Sequence, residues 1–265
     1  MNGGVAVTKM HGARNDFIVL DARNQAVPDV RSFAIAACDR HTGIGADGVL
    51  VVGASSRAQV SMRVINADGG EAEMCGNGVR CVARYLDERR EGGELDVDTI
   101  GGVVHTSVID RGDVYRVRVD VGIPVLESRE VTAPQSAVLV VGNRHLVLFR
   151  DAIEAVDLES LGVAAQSDAH FPEGINVHIV RIEDDRTLRI RHYERGAGLT
   201  MACGTGSVAC AAAAIMGGEA ASPVVVHVPG GELTIEWDGK GHAFLTGPAV
   251  RVFDTTFDVR ALEMA

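Results

Sequence analysis

One short segment occurs twice in this 265-residue chain, and the duplication restricts the folds that the chain can adopt. "RVINADGGEAEMCGNG" in the first half parallels "RIRHYERGAGLTMACGTG" in the second half. In both copies a strand pattern is followed by a glycine-containing loop, a cysteine and the start of a helix. The two cysteines, Cys75 and Cys203, are 203 − 75 = 128 residues apart, about half the chain. Two copies are too few for a solenoid, so the repeat predicts two halves related by approximate two-fold symmetry.

The rest of the sequence reads as short strands with few helices. "AQVSMRVINADGG" alternates apolar and polar residues, and "GGVVHTSVIDRGDVYRVRVDVG" predicts a hairpin that turns at residues 111–113. Helices are predicted at residues 32–38, from after Cys75 to about 90, at about 151–158, and from after Cys203 to about 216. This pattern predicts an α+β fold. We expect a first half at residues 1–121, joined by a C-terminal strand at 252–265, and a second half at residues 122–251.

Composition excludes several classes of protein. The net charge of −11 argues against a nucleic-acid partner, because proteins that bind the phosphate backbone usually present a basic face. We find neither an apolar run of membrane-spanning length nor a signal-peptide pattern, so we expect a cytoplasmic protein without membrane attachment. Five cysteines without a Cys-x-x-Cys pair fit neither a disulfide framework nor a structural zinc site, and we expect no metal.

A cysteine at the start of a helix has a distinct chemistry. The unpaired N–H groups of the first turn and the helix dipole favour negative charge, which makes a thiol there easier to deprotonate. The glycines that follow allow close approach of a ligand, such as a carboxylate, to these N–H groups. Two such thiols facing one substrate could remove a proton from one face and return it on the other. The alternative is a buried structural cysteine before an ordinary helix. Cys81 and Cys210 lie one to two turns later within each predicted helix, and we interpret both as core-packing residues.

Six ordered motifs across most of the chain resemble the diaminopimelate epimerases, a family of pyridoxal-phosphate-independent amino-acid racemases. They are "KMHGARNDFIVLD", "RHTGIGADGVL", "NADGGEAEMCGNGVRC", "VGNRHLVLF", "FPEGINVHIV" and "YERGAGLTMACGTGSVAC". The resemblance implies two halves, each with a curved, mostly antiparallel sheet around a central helix, and an active site in the cleft between them. It also implies cofactor-independent, two-base epimerisation of LL-2,6-diaminopimelate to the meso isomer, a step in making lysine and peptidoglycan precursors. A homodimer is expected from the relatives.

The same resemblance assigns roles to individual residues. Cys75 and Cys203 would be the catalytic thiolate and thiol. Main-chain N–H groups of four residues after the cysteines would hold the reacting carboxylate: Gly76, Asn77, Gly204 and Thr205. The remaining substrate-binding residues would recognise the distal amino-acid end: Asn15, Asn66, Asn143, Asn176, Glu194 and Arg195. A guanidinium suits the distal carboxylate, and Glu194 or an Asn carbonyl suits the distal ammonium. Asn15 and Asn66 could also be turn residues.

His145 follows Asn143 by two residues, so the two side chains point to the same face of a strand. We expect His145 to lie near Glu194 and to help polarise a cysteine; the alternative is a histidine packed in the wall of the cleft. Three positions depart from the common family pattern: Gly48, Arg144 and Leu199.

Three other functions remain open at this point. A racemase or epimerase of another amino acid would share the fold but would not need Arg195. A non-catalytic anion-binding or thiol-switch protein could use the same scaffold, and loss of a cysteine would favour it. A cysteine hydrolase that uses His145 would leave the second cysteine without a role.

Overall fold

The computed structural model describes residues 4–27, 29–72, 74–130 and 135–260. The chain divides into two compact units, Met1–Val119 with Pro248–Ala265, and Asp120–Gly247. The halves expected from the sequence place their boundaries two and four residues further along, at 121 and 251 (121 − 119 and 251 − 247). Residues 261–265 of the expected C-terminal strand lie outside the described residues. Within the described ranges, no helix combines the length and apolar character needed to cross a membrane.

The first unit consists mainly of short strands, and its helices connect parallel pairs of them. Its elements are β1 (Gly4–Gly12), β2 (Asn15–Asp21), α1 (Val30–Cys38), β3 (Gly48–Gly53), β4 (Val60–Asn66), β5 (Glu71–Ala72), α2 (Gly76–Asp87), β6 (Glu94–Thr99), β7 (Gly102–Asp110) and β8 (Arg116–Asp120). Neighbouring strands pair antiparallel except β2–β3 and β4–β6, which are parallel and enclose α1 and α2 as crossovers.

The second unit repeats this pattern. Its elements are β9 (Val125–Arg129), β10 (Ser136–Val141), β11 (Asn143–Phe149), a short 3-10 helix (Ile153–Ala155), α3 (Leu158–Ala165), β12 (Asn176–Asp184), β13 (Thr187–Glu194), β14 (Gly198–Thr200), α4 (Gly204–Gly217), β15 (Val224–Val228), β16 (Gly231–Glu236) and β17 (Phe244–Pro248). The parallel pairs are β11–β12 and β13–β15. The last strand, β18 (Val250–Asp258), pairs with β1 in the first unit, as β9 pairs with β10 in the second.

The repeat also holds for individual residues, because equivalent strands of the two units pair in the same register. In the first unit Phe17 lies opposite Gly48, and Leu50 lies opposite Val64. The corresponding pairs of the second unit are His145 opposite Asn176 and His178 opposite His192. This repeated topology confirms the internal duplication, and the mostly antiparallel sheets with few helices confirm the α+β class.

Each long helix packs on the strands of its own unit. Helix α2 contacts β1–β4, β6, β7 and β18, and α4 contacts β10–β13, β15 and β16. Small side chains make this possible in α4, where Ala211–Ala214 are all buried and the helix is apolar on every side. Because aromatic residues are only 4% of the chain, both cores consist mainly of aliphatic side chains.

Local capping decides where the helices begin and end. Helix α1 begins at Val30, two residues before the predicted start, because the Asp29 carboxylate accepts a hydrogen bond from the Ser32 N–H at 2.8 Å. The prediction of a third helix at 151–158 was wrong. A 3-10 turn occupies part of that range, and α3 begins at Leu158 because Asp157 caps it through the Ser160 N–H. The hairpin between β7 and β8 is confirmed.

Candidate functional site

Cys75 is the N-cap residue of α2, in an extended conformation that ends the preceding loop. Its Sγ accepts a hydrogen bond from the Gly78 N–H at 3.5 Å, so the sulfur lies at the positive end of the helix dipole. An added Cβ at Gly76 would meet nothing within 4 Å. The first turn of α2 therefore combines a half-exposed thiol with open space beside its backbone, which a small anionic group could occupy.

An amide network fixes the surroundings of Cys75. The Asn15 Oδ1 accepts hydrogen bonds from the Cys75 Sγ–H at 3.7 Å and from the Asn77 Nδ2 at 3.1 Å. The Asn15 Nδ2 donates to the Asp47 carboxylate at 2.7 Å. Asn15 and Asn77 therefore lie together at the first cysteine. Because the Asn77 side chain is buried and bound on both sides, only its backbone N–H is suited to a ligand.

The network is extended by a fully buried cation, Arg80, which contacts Asn77. Its guanidinium donates to the Asn77 Oδ1 at 2.7 Å and to the carbonyls of Gly76 and Pro248, each at 3.2 Å. Burial lowers the pKa of Arg80 to about 10, and the neighbouring sulfurs of Cys81 and Cys75 oppose this lowering. A buried positive charge close to Cys75 favours negative charge on that sulfur.

Cys203 is the N-cap residue of α4 and is only 4% exposed. Its Sγ lies 3.9 Å from the Thr205 Oγ1. The pKa of Cys203 is raised well above its ordinary value, first by burial and then by the charge of Glu194 and a hydrogen bond with it. Hydrogen bonds from the Gly206 backbone and Thr205 oppose this rise without reversing it. The second thiol therefore has an anion as its neighbour, where the first has a cation.

Three buried histidines line up behind Cys203. The His145 Nδ1 lies 2.9 Å from the His178 Nε2, and the His178 Nδ1 lies 2.8 Å from the His192 Nδ1. All three side chains are at most 1% exposed. Burial lowers the pKa of His145 to about 4 and that of His192 to about 3, and it lowers the pKa of His178 well below its ordinary value. The chain is therefore a row of neutral imidazoles at neutral pH.

The same cluster contains the donor types of a metal site. A ring nitrogen of His145, a ring nitrogen of His178 and the Cys203 Sγ all lie within 4.8 Å of one another. Nitrogen and sulfur donors of this kind suit zinc. However, both nitrogens of His178 already have imidazole partners, so a metal would have to break that chain. The donor set therefore does not fit a metal without rearrangement.

The remaining predicted residues lie at strand ends. Asn176 is buried, and its amide bridges the Arg144 carbonyl at 2.9 Å and the Arg195 backbone N–H at 3.0 Å. Asn143 is exposed at the start of β11. Asn66, exposed at the end of β4, accepts a backbone hydrogen bond from the Gly69 N–H and thus also forms a turn. In the repeat Asn66 occupies the position of Glu194.

The structure also places Arg195 and the three positions that depart from the common family pattern. The exposed Arg195 guanidinium donates to the Glu173 carbonyl at 3.0 Å. Arg144 forms an exposed ion pair with Glu127. Gly48 has no room for a side chain, since an added Cβ would lie 2.7 Å from the Ile65 carbonyl oxygen. Leu199 is 51% exposed on β14, close in sequence to Cys203.

The surroundings of Cys75 and the surroundings of Cys203 form two half-sites. The sequence analysis missed three of their residues: Arg80, His178 and His192. A signal existed for two of them, because His178 follows Asn176 by two residues and His192 precedes Glu194 by two. Alternation along a strand places such residues on one face. For Arg80 the spacing of three residues from Asn77 places both on one side of the helix.

Solved structures share this fold. A hydroxyproline epimerase from Agrobacterium vitis gives a TM-score of 0.76 at 13% identity, covering 98% of this chain and 94% of that one. A PhzF-family phenazine biosynthesis protein from Bacillus anthracis gives a TM-score of 0.73 at 15% identity, covering 95% and 98%. At such identities the likeness establishes the fold class alone, that of these epimerases and PhzF-family proteins.

Sequence comparison identifies the family within that class. The family model described as diaminopimelate epimerase matches residues 7–127 and 137–252. A diaminopimelate epimerase from Erythrobacter litoralis is 42% identical, covering 96% of this chain and 97% of its own. Another from Bacteroides thetaiotaomicron is 40% identical, covering 96% and 98%. The chain belongs to the diaminopimelate epimerase family, which confirms the resemblance.

Proposed function

We propose that this protein is an isomerase that converts LL-2,6-diaminopimelate to meso-diaminopimelate, with Cys75 and Cys203 as the two acid/base residues. The observation that carries the proposal is the matched pair of thiols, each at the N-cap of a helix in an equivalent position of a repeated topology. Membership of the diaminopimelate epimerase family supports the choice of substrate. The duplication thus supplies two similar bases, as inversion at one carbon requires.

The reaction follows from the chemistry of the two half-sites. A thiolate takes the Cα proton, and the other thiol gives its proton to the opposite face, so the C–H bond broken is replaced by one of inverted configuration. Backbone N–H groups of Gly76, Asn77, Gly204 and Thr205 hold the reacting carboxylate. Fixed N–H dipoles also stabilise the charge that develops after proton removal, where one such donor is typically worth roughly 3 kcal/mol.

Unequal electrostatics suggest the resting protonation states. Arg80 supplies buried positive charge near Cys75, whereas burial and Glu194 raise the pKa of Cys203. We infer that Cys203 is the thiol of the pair in the substrate-free enzyme. On this basis Cys75 removes the proton from whichever isomer presents its Cα–H to that sulfur.

The remaining expectations complete the proposal. Arg195 and the predicted asparagines recognise the distal amino-acid end, with Glu194 as an acceptor for its ammonium. His145 supports the second thiol. The two compact units are the two predicted halves, and the enzyme works in the cytoplasm as a homodimer, without a cofactor.

The decisive experiment is proton NMR of the reduced protein with LL-diaminopimelate in deuterium oxide. We expect the Cα proton signal to disappear as the meso isomer forms. Cys75→Ala and Cys203→Ala should each abolish conversion, whereas Cys38→Ala, a buried cysteine outside both half-sites, should not. Exchange with proline, hydroxyproline or another amino acid but not with diaminopimelate would overturn the substrate assignment. Conversion by either catalytic-cysteine variant would overturn the two-base assignment.

A further inference from the structure

The repeat provides an internal comparison for the histidine chain. The positions equivalent to His145, His178 and His192 in the first unit hold Phe17, Leu50 and Val64. All three first-unit residues are buried and apolar. The same backbone thus packs well with hydrocarbon side chains behind a catalytic helix. Three histidines are therefore not required by the fold, and burying six polar ring nitrogens is costly unless they are hydrogen-bonded.

The hydrogen bonds define where each proton lies. A hydrogen bond from the His145 ring to the Val141 carbonyl needs a ring N–H, because a carbonyl oxygen only accepts. Within the described residues the His145 Nε2 has no hydrogen-bond partner, so this proton is on Nδ1. The His178 Nε2, 2.9 Å away, must then accept, which places the proton of His178 on Nδ1. His178 donates in turn to the His192 Nδ1, which leaves the proton of His192 on Nε2.

Packing holds the middle ring in place. An added Cβ at Gly206, in the first turn of α4, would lie 2.4 Å from the His178 Cε1 and 2.6 Å from its Nε2. The imidazole of His178 therefore lies directly against the backbone that follows Cys203. At the equivalent place in the first unit, Gly78 faces the flexible end of Leu50. A rigid ring with both nitrogens bonded replaces a mobile methyl group.

We propose that His178 and His192 are positioning residues that fix the orientation and the tautomer of His145, which has a ring nitrogen within 4.8 Å of the Cys203 Sγ. The effect of these residues on catalysis rests on the proposed function. The tautomer of His145 does not depend on which reaction the protein catalyses. The Cys203 thiol itself is hydrogen-bonded with Glu194, so the role of the chain is to hold the His145 imidazole in one orientation and one protonation state near that thiol.

The tautomer can be measured directly. Long-range proton–nitrogen correlation spectra of protein labelled with 15N-histidine distinguish protonated from unprotonated ring nitrogens. We expect neutral rings for all three residues at pH 7, with the proton of His145 on Nδ1. A proton on the His145 Nε2, or a charged imidazole in the chain at that pH, would overturn the proposal whether or not diaminopimelate is the substrate.

Variants of His178 test whether the histidine chain affects catalysis. His178→Leu installs the first-unit side chain, and we expect kcat to fall about tenfold or more while KM changes little, since outer residues that orient a functional group typically contribute that much. The pH–rate profile should also shift. His178→Gln keeps an acceptor for the His145 Nδ1–H and should recover part of kcat. His227→Leu, a half-buried histidine on β15 outside the chain, is the control.

The outcomes separate the two proposals. Wild-type kcat and pH profile in His178→Leu would refute the positioning role, and so would equal loss in His178→Leu and His178→Gln with an unchanged pH profile. If His178→Leu does not fold, the tautomer spectrum of the wild type still decides. A correct tautomer together with no diaminopimelate turnover would refute the substrate and leave the histidine assignment standing.

Discussion

Replacing the histidine chain with its first-unit counterparts should remove a large part of the acid sensitivity of the second unit. The triple variant His145→Phe, His178→Leu and His192→Val copies the apolar residues at the equivalent positions. Both units have the same strand order and register there, so we expect the variant to fold. Its stability should depend less on pH than that of the wild type.

The sign and size of this change in the free energy of unfolding follow from the pKa difference between the folded and unfolded states. The folded-state pKa values of about 4 for His145 and about 3 for His192 lie below the ordinary value of 6.5, so unfolding takes up protons as the pH falls. Their stabilising effect is complete above pH 6.5 and is lost as the pH falls toward the folded-state values. Between pH 7.5 and pH 5 this amounts to about 2 kcal/mol for each histidine, or about 4 kcal/mol for the two.

The single tryptophan makes the measurement specific. Trp237 is buried in the second unit, so its fluorescence during urea unfolding reports on that unit. We expect the wild type to lose at least about 4 kcal/mol more than the triple variant between pH 7.5 and pH 5, because the lowered pKa of His178 adds to the effect of the other two. Carboxylates titrate in both proteins and cancel in the comparison. Equal losses in the two proteins would refute the claim that these rings are buried in the neutral state.

Four further predictions address other parts of the two units. Arg80→Met should lower the free energy of unfolding by at least about 2 kcal/mol, measured by urea unfolding with circular dichroism, because buried acceptors lose their donor; a neutral effect would contradict the buried guanidinium. Gly206→Ala should cost about 1–3 kcal/mol because a rigid imidazole blocks the new methyl group. Gly78→Ala, which meets a leucine methyl, should cost less; the reverse order in unfolding experiments would count against this packing. Iodoacetamide at pH 7.5 should label Cys75 before Cys203, as read by peptide mass spectrometry, because burial and a raised pKa protect the second thiol. A mild oxidant should abolish activity and a thiol reductant should restore it if both thiols act on one Cα; indifference to both reagents would argue against paired thiols.

The sequence predicted the features that depend on local order along the chain. Helices α2 and α4 both begin immediately after a cysteine, because Cys-Gly-x-Gly ends an extended segment and frees the first-turn N–H groups. The repeat was visible because the same elements recur in the same order. The third helix was misplaced, because Asp151 and Asp157 are both plausible caps in sequence and only the structure shows that Asp157 is used.

Features that depend on strand order were beyond a sequence pattern. Alternation shows which face His145, His178 and His192 occupy, but their hydrogen bonds require β11, β12 and β13 to be neighbours. Burial of Arg80 is likewise set by packing, since arginine is usually exposed and its spacing from Asn77 indicates a helix side but not that this side is buried.

The pairing of β18 with β1 has a consequence for the order in which a gene can encode the two units. Because Gly4 of β1 lies opposite Asp258 of β18, a short linker between these two residues could join the two strands. A gene rearranged to start at Asp120 would then encode residues 120–247 without interruption, followed by 248–258, the linker and 4–119 as a second continuous block. In that circularly permuted form, each half of the duplication would be a single uninterrupted reading segment, and each could be expressed and studied alone.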